Sequence, residues 1–257
     1  MNLQCVTISG ANEHTEIKDL ADLLYKYPKA ELGIQVSSAK ADYKSKRFEW
    51  IINLHSFIFT VAQSINVALH VNPGWVEQVC AGYFPLEMLK LLSLKNYDGG
   101  NMVKRIQLNF KIGREAAPDM EKLHWVISKL YHYRFILSYN EANKEFIDTF
   151  YFKYGKCFDL LFDESHGEGK PPQQWRPTVY SDIVQGYSGG LSPDNISSEI
   201  TKIALLNVGD TPTWVDAEGK LKGDDGHLSL DKAEAFLEGT KGYLNASEKD
   251  PMQDWKL

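Results

Sequence analysis

The segment YSGGLSPDN, residues 187–195, sets two adjacent glycines, Gly189 and Gly190, between an apolar alternating run and a helical one. Glycine allows backbone dihedrals closed to other residues and removes the side chain that would hold a ligand off the backbone. A strand end, a bare turn and a helix N-terminus together present amide N–H groups and a positive dipole end, a setting suited to phosphate. The same residues also make an ordinary tight turn, with Ser192 as the helix cap and Pro193 in the first helical position. Other chemically capable residues close apolar runs elsewhere: Ser9 with Gly10, Asn72, Asp163, and Asp216 followed by Glu218, Gly219 and Lys220. A carboxylate ending a strand suits general acid or base work, because its neighbours tune its pKa. Aspartate is also a good turn former, so Asp163 and Asp216 read equally as caps of the turns that follow.

The elements that must position these residues alternate. Short apolar, β-branched runs occur at 3–9, 31–37, 66–71, 102–110, 134–139, 157–163, 182–187 and 212–216. Between most of them lie stretches with helical spacing, such as Ile17, Leu20, Leu23 and Leu24 on one face. Eight strands alternating with helices predict a (β/α)8 TIM barrel, a single domain over residues 1–243 with a polar tail at 244–257. A doubly wound open sheet is the second choice, but the first turn, SGANEHTE, lacks the glycine pattern that such a sheet would want. In a barrel the working face is the carboxyl end of the strands, where Ser9, Asn72, Asp163, the glycine pair and Asp216 fall. Residues 164–178, ESHGEGKPPQQWRPT, form a long Gly/Pro loop with little room for a full helix.

Composition narrows the function. The net charge is −6 with no basic run, which disfavours nucleic acid as a partner. No apolar stretch approaches the ~20 residues that span a bilayer, so no membrane partner is expected. Three scattered cysteines, Cys5, Cys80 and Cys157, argue against a disulfide framework or a zinc cluster. The opening MNLQCVTISG reads as a strand without a signal-peptide pattern, and the expected location is a reducing cytoplasm.

Several segments, taken in order, resemble one family. VTISGANEHTEIKDL (6–20) is similar to the opening of phosphoribosylanthranilate isomerases, where the strand ends Lys-Ile-Cys-Gly. SKRF (45–48) resembles that family's Ser-X-Arg-aromatic segment, and VALHVN (67–72) and RIQLNF (105–110) resemble its third and fourth strands. LLFDESHGEGK (160–170) is similar to its sixth strand and loop, YSGGLSPDNI (187–196) to its phosphate turn, and WVDAEGKLK (214–222) to its eighth strand and turn. The resemblance implies a TIM barrel with phosphate at the turns after strands seven and eight, held by Gly189, Gly190 and Gly219. It implies an aldose-to-ketose (Amadori) rearrangement of a phosphorylated aminofuranose, which belongs to tryptophan biosynthesis. Asp163 would be the general acid at the ring oxygen, Arg47 the anchor of the anthranilate carboxylate, and Asp216 an assistant near the amine. The partner is then a small phosphorylated substrate, with no cofactor and no metal, and the family includes monomers and homodimers.

The sequence departs from the family at the base. Ser9 stands where the family has its catalytic cysteine, and Thr7 where it has lysine. A serine hydroxyl ionises far less readily than a thiol and normally requires an adjacent base. Cys5 lies four residues earlier, towards the opposite strand end, while Glu13, His14, His70, Glu164 and His166 are alternative bases that spacing does not rank. Ten residues separate Val36 from Arg47, more than the family allows, and Glu218 replaces a serine beside the phosphate turn. That carboxylate repels an anion unless Lys220 offsets it or it points away. Three readings remain: an isomerase, a diverged barrel with another sugar-phosphate reaction, and a phosphate-ligand-binding protein without catalysis.

Overall fold

The apolar runs pair side by side in chain order. A computed structural model describes residues 2–113, 116–163, 172–207 and 212–244. Its strands are β1 (Asn2–Ser9), β2 (Ala30–Val36), β3 (Asn66–Val71), β4 (Val103–Leu108), β5 (Arg134–Tyr139), β6 (Asp159–Phe162), β7 (Gln185–Ser188) and β8 (Pro212–Ala217). Each is parallel to the next, and β8 returns to β1 through Val6 beside Val215 and Thr7 beside Asp216, closing the barrel. The seventh strand begins at Gln185 rather than 182, because residues 181–183 turn back and the Ile183 N–H donates to the Tyr180 carbonyl.

Helices fill the crossovers: α1 (Ile17–Lys26), α2 (Lys46–Thr60), α3 (Val76–Cys80), α4 (Leu86–Leu92), α5 (Met120–Lys129), α6 (Lys144–Tyr154), α7 (Ile196–Leu206) and α8 (Leu230–Leu244). Local chemistry fixes their ends. Ser45 Oγ accepts the Phe48 N–H at the start of α2, and Asp119 accepts from Glu121 and Lys122 at the start of α5. Pro85 immediately precedes α4, so the crossover after β3 is two short helices rather than one. The expected long loop lies between β6 and β7, where no helix occurs among the described residues. Its positions 164–171, with the candidate bases Glu164 and His166, fall outside those residues, as does the tail from 245. No described helix is long and apolar enough to cross a membrane.

The period of two along each strand splits the core. Val6, Ile8, Leu32, Ile34, Val67, Leu69, Ile106 and Leu108 pack outward, in the cluster they share with the helices. The alternate positions belong to the barrel interior, where Cys5, Ile136, Leu161 and Trp214 form a separate apolar cluster. Beside it lies a buried ion pair. Arg105 Nε donates to Glu31 Oε2 at 2.7 Å, Arg105 also donates to Thr7 Oγ1 at 3.1 Å, and the guanidinium carbon lies 4.3 Å from the Trp214 ring. This polar plug is the floor of the barrel interior, one layer deeper along the strands than the cavity described next.

Candidate active site

At the carboxyl ends of the strands the barrel opens into a cavity of about 600 Å³. Asp163, Gly189, Gly190, Asp216 and Gly219 all line it, together with His70, Glu218, Lys220 and Lys222. The glycine pair follows β7, with φ of +107° at Gly189 and +65° at Gly190, both in the left-handed region that glycine tolerates. The side chain of Asn195 closes the turn: its Oδ1 accepts the Ser192 N–H at 2.8 Å, and its Nδ2 donates to the Gly190 carbonyl at 2.9 Å. Asn195 thus takes the organising part expected of Ser192, and α7 begins at Ile196 rather than at Pro193. The N–H groups of Gly189 and Gly190 meet no acceptor among the described residues. At Gly219 an added Cβ would meet nothing within 4 Å, so packing does not dictate glycine there.

Asp216 is the most constrained carboxylate of the site. It is 8% exposed, and Ser9 Oγ donates to its Oδ1 at 2.9 Å. Burial raises its carboxyl to about 6, against the pull of His70 and the Ser9 hydroxyl and with the repulsion of Glu218 and Glu31. Ser9 itself does not line the cavity and reaches it only through this bond. Gly33, beside Ser9 in the β1–β2 ladder, makes the arrangement possible. A Cβ there would lie 2.0 Å from Ser9 Oγ and 3.0 Å from His70 Nε2. Ser9, His70 and Asp216 therefore converge across a position only glycine leaves open. Cys5 sits lower in the barrel, where burial pushes its thiol up to about 12 against the charge of Arg105; it is no thiolate.

Two expectations meet a different geometry. Arg47 is not among the residues lining the cavity. The extra length after β2 places it on the first turn of α2, where Glu13 holds its guanidinium in an ion pair and the Gln35 carbonyl accepts from Nη1 at 3.1 Å. Glu13, one of the alternative bases, is thereby occupied. Glu218 is offset by Lys222 rather than Lys220: Oε1 lies 3.2 Å from Lys222 Nζ, and Oε2 accepts from Gln35 Nε2 at 2.8 Å. His14 stacks on His227 with ring centroids 4.2 Å apart.

The far wall carries residues that the motif reading passed over. Gln107, Asn109, Ser138 and Asn140 line the cavity from β4, β5 and their turns. Their signal was available in the period of two: His70 and Asn72, Gln107 and Asn109, Ser138 and Asn140 are polar pairs at alternate positions among apolar neighbours. No group of three or more His, Cys, Asp or Glu side chains gathers to hold a metal among the described residues.

A closed eight-stranded parallel barrel with its crossover helices outside and its cavity at the carboxyl ends defines the (β/α)8 TIM-barrel class. No protein-family model and no curated protein sequence matches the chain. Among solved structures it is similar to TrpF from Jonesia denitrificans, at 15% identity and a TM-score of 0.55, over 95% of this chain and 100% of that one. It is also similar to 3-hexulose-6-phosphate synthase from Salmonella typhimurium, at 10% identity and a TM-score of 0.51, over 93% and 99% of the two chains. A glycoside hydrolase family 30 subfamily 8 xylanase from Clostridium acetobutylicum follows at 10% identity and 0.50, over 93% and 71%. These likenesses establish the fold.

Proposed function

We propose that this barrel is an enzyme of phosphorylated sugar derivatives, of the aldose–ketose isomerase type. The observation that carries the reading is one cavity lined by both the left-handed glycine turn after β7 and two strand-end aspartates. The phosphate rests on the Gly189 and Gly190 amides and beside Gly219, where the dipole of α7 adds to the attraction. Asp163 gives a proton to the ring oxygen as the ring opens. Asp216, with its carboxyl near 6, is mostly ionised at neutral pH and takes the proton from C2 of the ring-opened imine, and the enolamine so formed becomes the ketose as its C2 hydroxyl gives up its proton and C1 gains one. Ser9 positions Asp216 rather than acting as the base, since its proton is already committed to that carboxylate. The motif resemblance to phosphoribosylanthranilate isomerases supports this chemistry, with phosphoribosylanthranilate as the default substrate and tryptophan biosynthesis as the setting. The name of one fold neighbour, a 3-hexulose-6-phosphate synthase, is in keeping with a sugar phosphate ligand. The three cysteines form no disulfide among the described residues, in keeping with a reducing cytoplasm.

A second reading is a phosphate-ligand-binding barrel without this catalysis, favoured by the engagement of Arg47 with Glu13 rather than with the cavity. Complementation of an isomerase-deficient tryptophan auxotroph separates the two. Growth with the wild-type chain and none with Asp163→Asn supports the isomerase, while growth with both removes Asp163 from the role of acid. If neither complements, a thermal-shift screen of sugar phosphates tests the binding reading, because a ligand that binds only the folded state raises its stability.

A further inference from the structure

The barrel order sets β3 and β4 across the mouth from β7 and β8, so the wall facing the glycine turn is built by the ends of β3 to β5. That wall carries a chain of carboxamides. Gln107 Nε2 donates to Asn109 Oδ1 at 2.8 Å, Asn109 Nδ2 donates to Asn72 Oδ1 at 3.2 Å, and Asn72 Nδ2 donates to the His70 carbonyl at 3.1 Å. Ser138 and Asn140 continue the lining on β5 and its turn. Each primary amide has two N–H groups and an oxygen with two lone pairs. The chain consumes one N–H of each amide and one lone pair of two of them, which leaves donors and acceptors interleaved and without net charge.

A ligand group matched to that wall must itself both donate and accept. Hydroxyl groups on adjacent carbons do so. An aromatic ring would strip water from the amides and return no hydrogen bonds, which is unfavourable for buried polar groups. Phe110, Leu161 and Leu191 are the larger apolar members of the lining, Leu191 on the glycine-turn side, and the cation on the amide side is Lys111. The guanidinium that would grip an aromatic carboxylate is held by Glu13.

We propose that the part of the ligand remote from the phosphate is a run of hydroxyls, a polyol or sugar, recognised by the Gln107–Asn109–Asn72 amide chain, and not an aromatic ring. The proposal rests on the phosphate reading above and changes the substrate class within it. Calorimetric titration of the full chain with inorganic phosphate, hexitol 6-phosphate, n-hexyl phosphate and 2-phenylethyl phosphate tests it. The hexitol ester is expected to bind at least about tenfold more tightly than the other two esters, because a site built to hydrogen-bond hydroxyls rejects analogues that lack them. Asn109→Leu is expected to shrink that preference to roughly threefold or less, by removing the central link. If the hexyl or phenylethyl ester binds as well as the hexitol ester to the wild-type chain, this proposal is overturned and the phosphate reading stands. If neither inorganic phosphate nor any ester binds, both are overturned.

Discussion

The barrel interior holds two polar layers of similar composition and opposite character. In the floor, Arg105, Glu31 and Thr7 bond to one another, and Arg105 and Glu31 are 1% and 0% exposed. At the mouth, His70, Asp216, Gln107 and Asn140 are also buried and Asn72 and Asn109 half-buried, yet all six border a cavity of about 600 Å³, which Ser9 reaches only through Asp216. Buried charge alone therefore does not mark a site; charge that faces a cavity does. Opening the floor should have the greatest effect on the fold. Arg105→Met leaves Glu31 buried without its cation and should cost about 3–5 kcal/mol in urea denaturation. Adding Glu31→Leu should recover most of that loss, since apolar replacement of a whole buried pair is often neutral. A single variant as stable as wild type would show that the floor is not a closed pair.

Stability should depend on pH through the mouth. A carboxyl raised from the ordinary aspartate range to about 6 in the folded state favours folding most when it is protonated. The contribution of Asp216 is thus complete below about pH 4 and is lost as pH rises through about 6, a change on the order of 3 kcal/mol. Asp216→Asn lacks that loss. Its stability relative to wild type should rise between pH 4.5 and 7.5 in matched denaturation curves, and a constant difference would place Asp216 in an ordinary aqueous setting. Gly33→Ala is the next smaller perturbation. Its Cβ would displace Ser9 Oγ from Asp216 and crowd His70, and overpacking of this kind costs about 1–3 kcal/mol. Combining it with Ser9→Ala should restore part of the loss, since the closest clashing atom is then gone; a strictly additive double variant would mean that Gly33 does not serve that contact.

These layers explain what was legible in the sequence. Strand positions followed directly from apolar runs, because the outward faces of β2, β3 and β4 pack against helices and must be apolar. The cavity membership of Asp163, the glycine pair, Asp216 and Gly219 followed from strand ends, because in a barrel those ends converge by topology. Side-chain direction did not follow. Arg47 matched a motif, but the longer approach to α2 gave it a nearer carboxylate in Glu13, and no local pattern announces such a pairing. Arg105 stands in a strand run with nothing local to announce its burial, because its partner Glu31 lies 74 residues away. The amide wall was legible in the alternation of β3 to β5 and was missed by attending only to the last residue of each strand.

Where the mouth meets solvent, charges should matter little to folding and more to a bound anion. Glu218 carries a full negative charge into the cavity that the phosphate reading fills with an anion, and Lys222 sits 3.2 Å from it. Both side chains are about one third exposed, so the pair contributes little to folding, and Lys222→Ala should change stability by less than about 1 kcal/mol. Its effect on an anion should be larger than its effect on the fold. With Lys222 gone, the Glu218 charge stands uncompensated beside Gly219, and affinity for inorganic phosphate should fall by roughly three- to tenfold at low salt. The loss should shrink in 1 M salt, where screening acts over about 3 Å. Glu218→Gln in the same chain should restore binding, because it removes the repulsion that Lys222 offsets. Phosphate affinity that ignores all three changes would put the anion away from Gly219 and leave the turn after β7 to hold it alone.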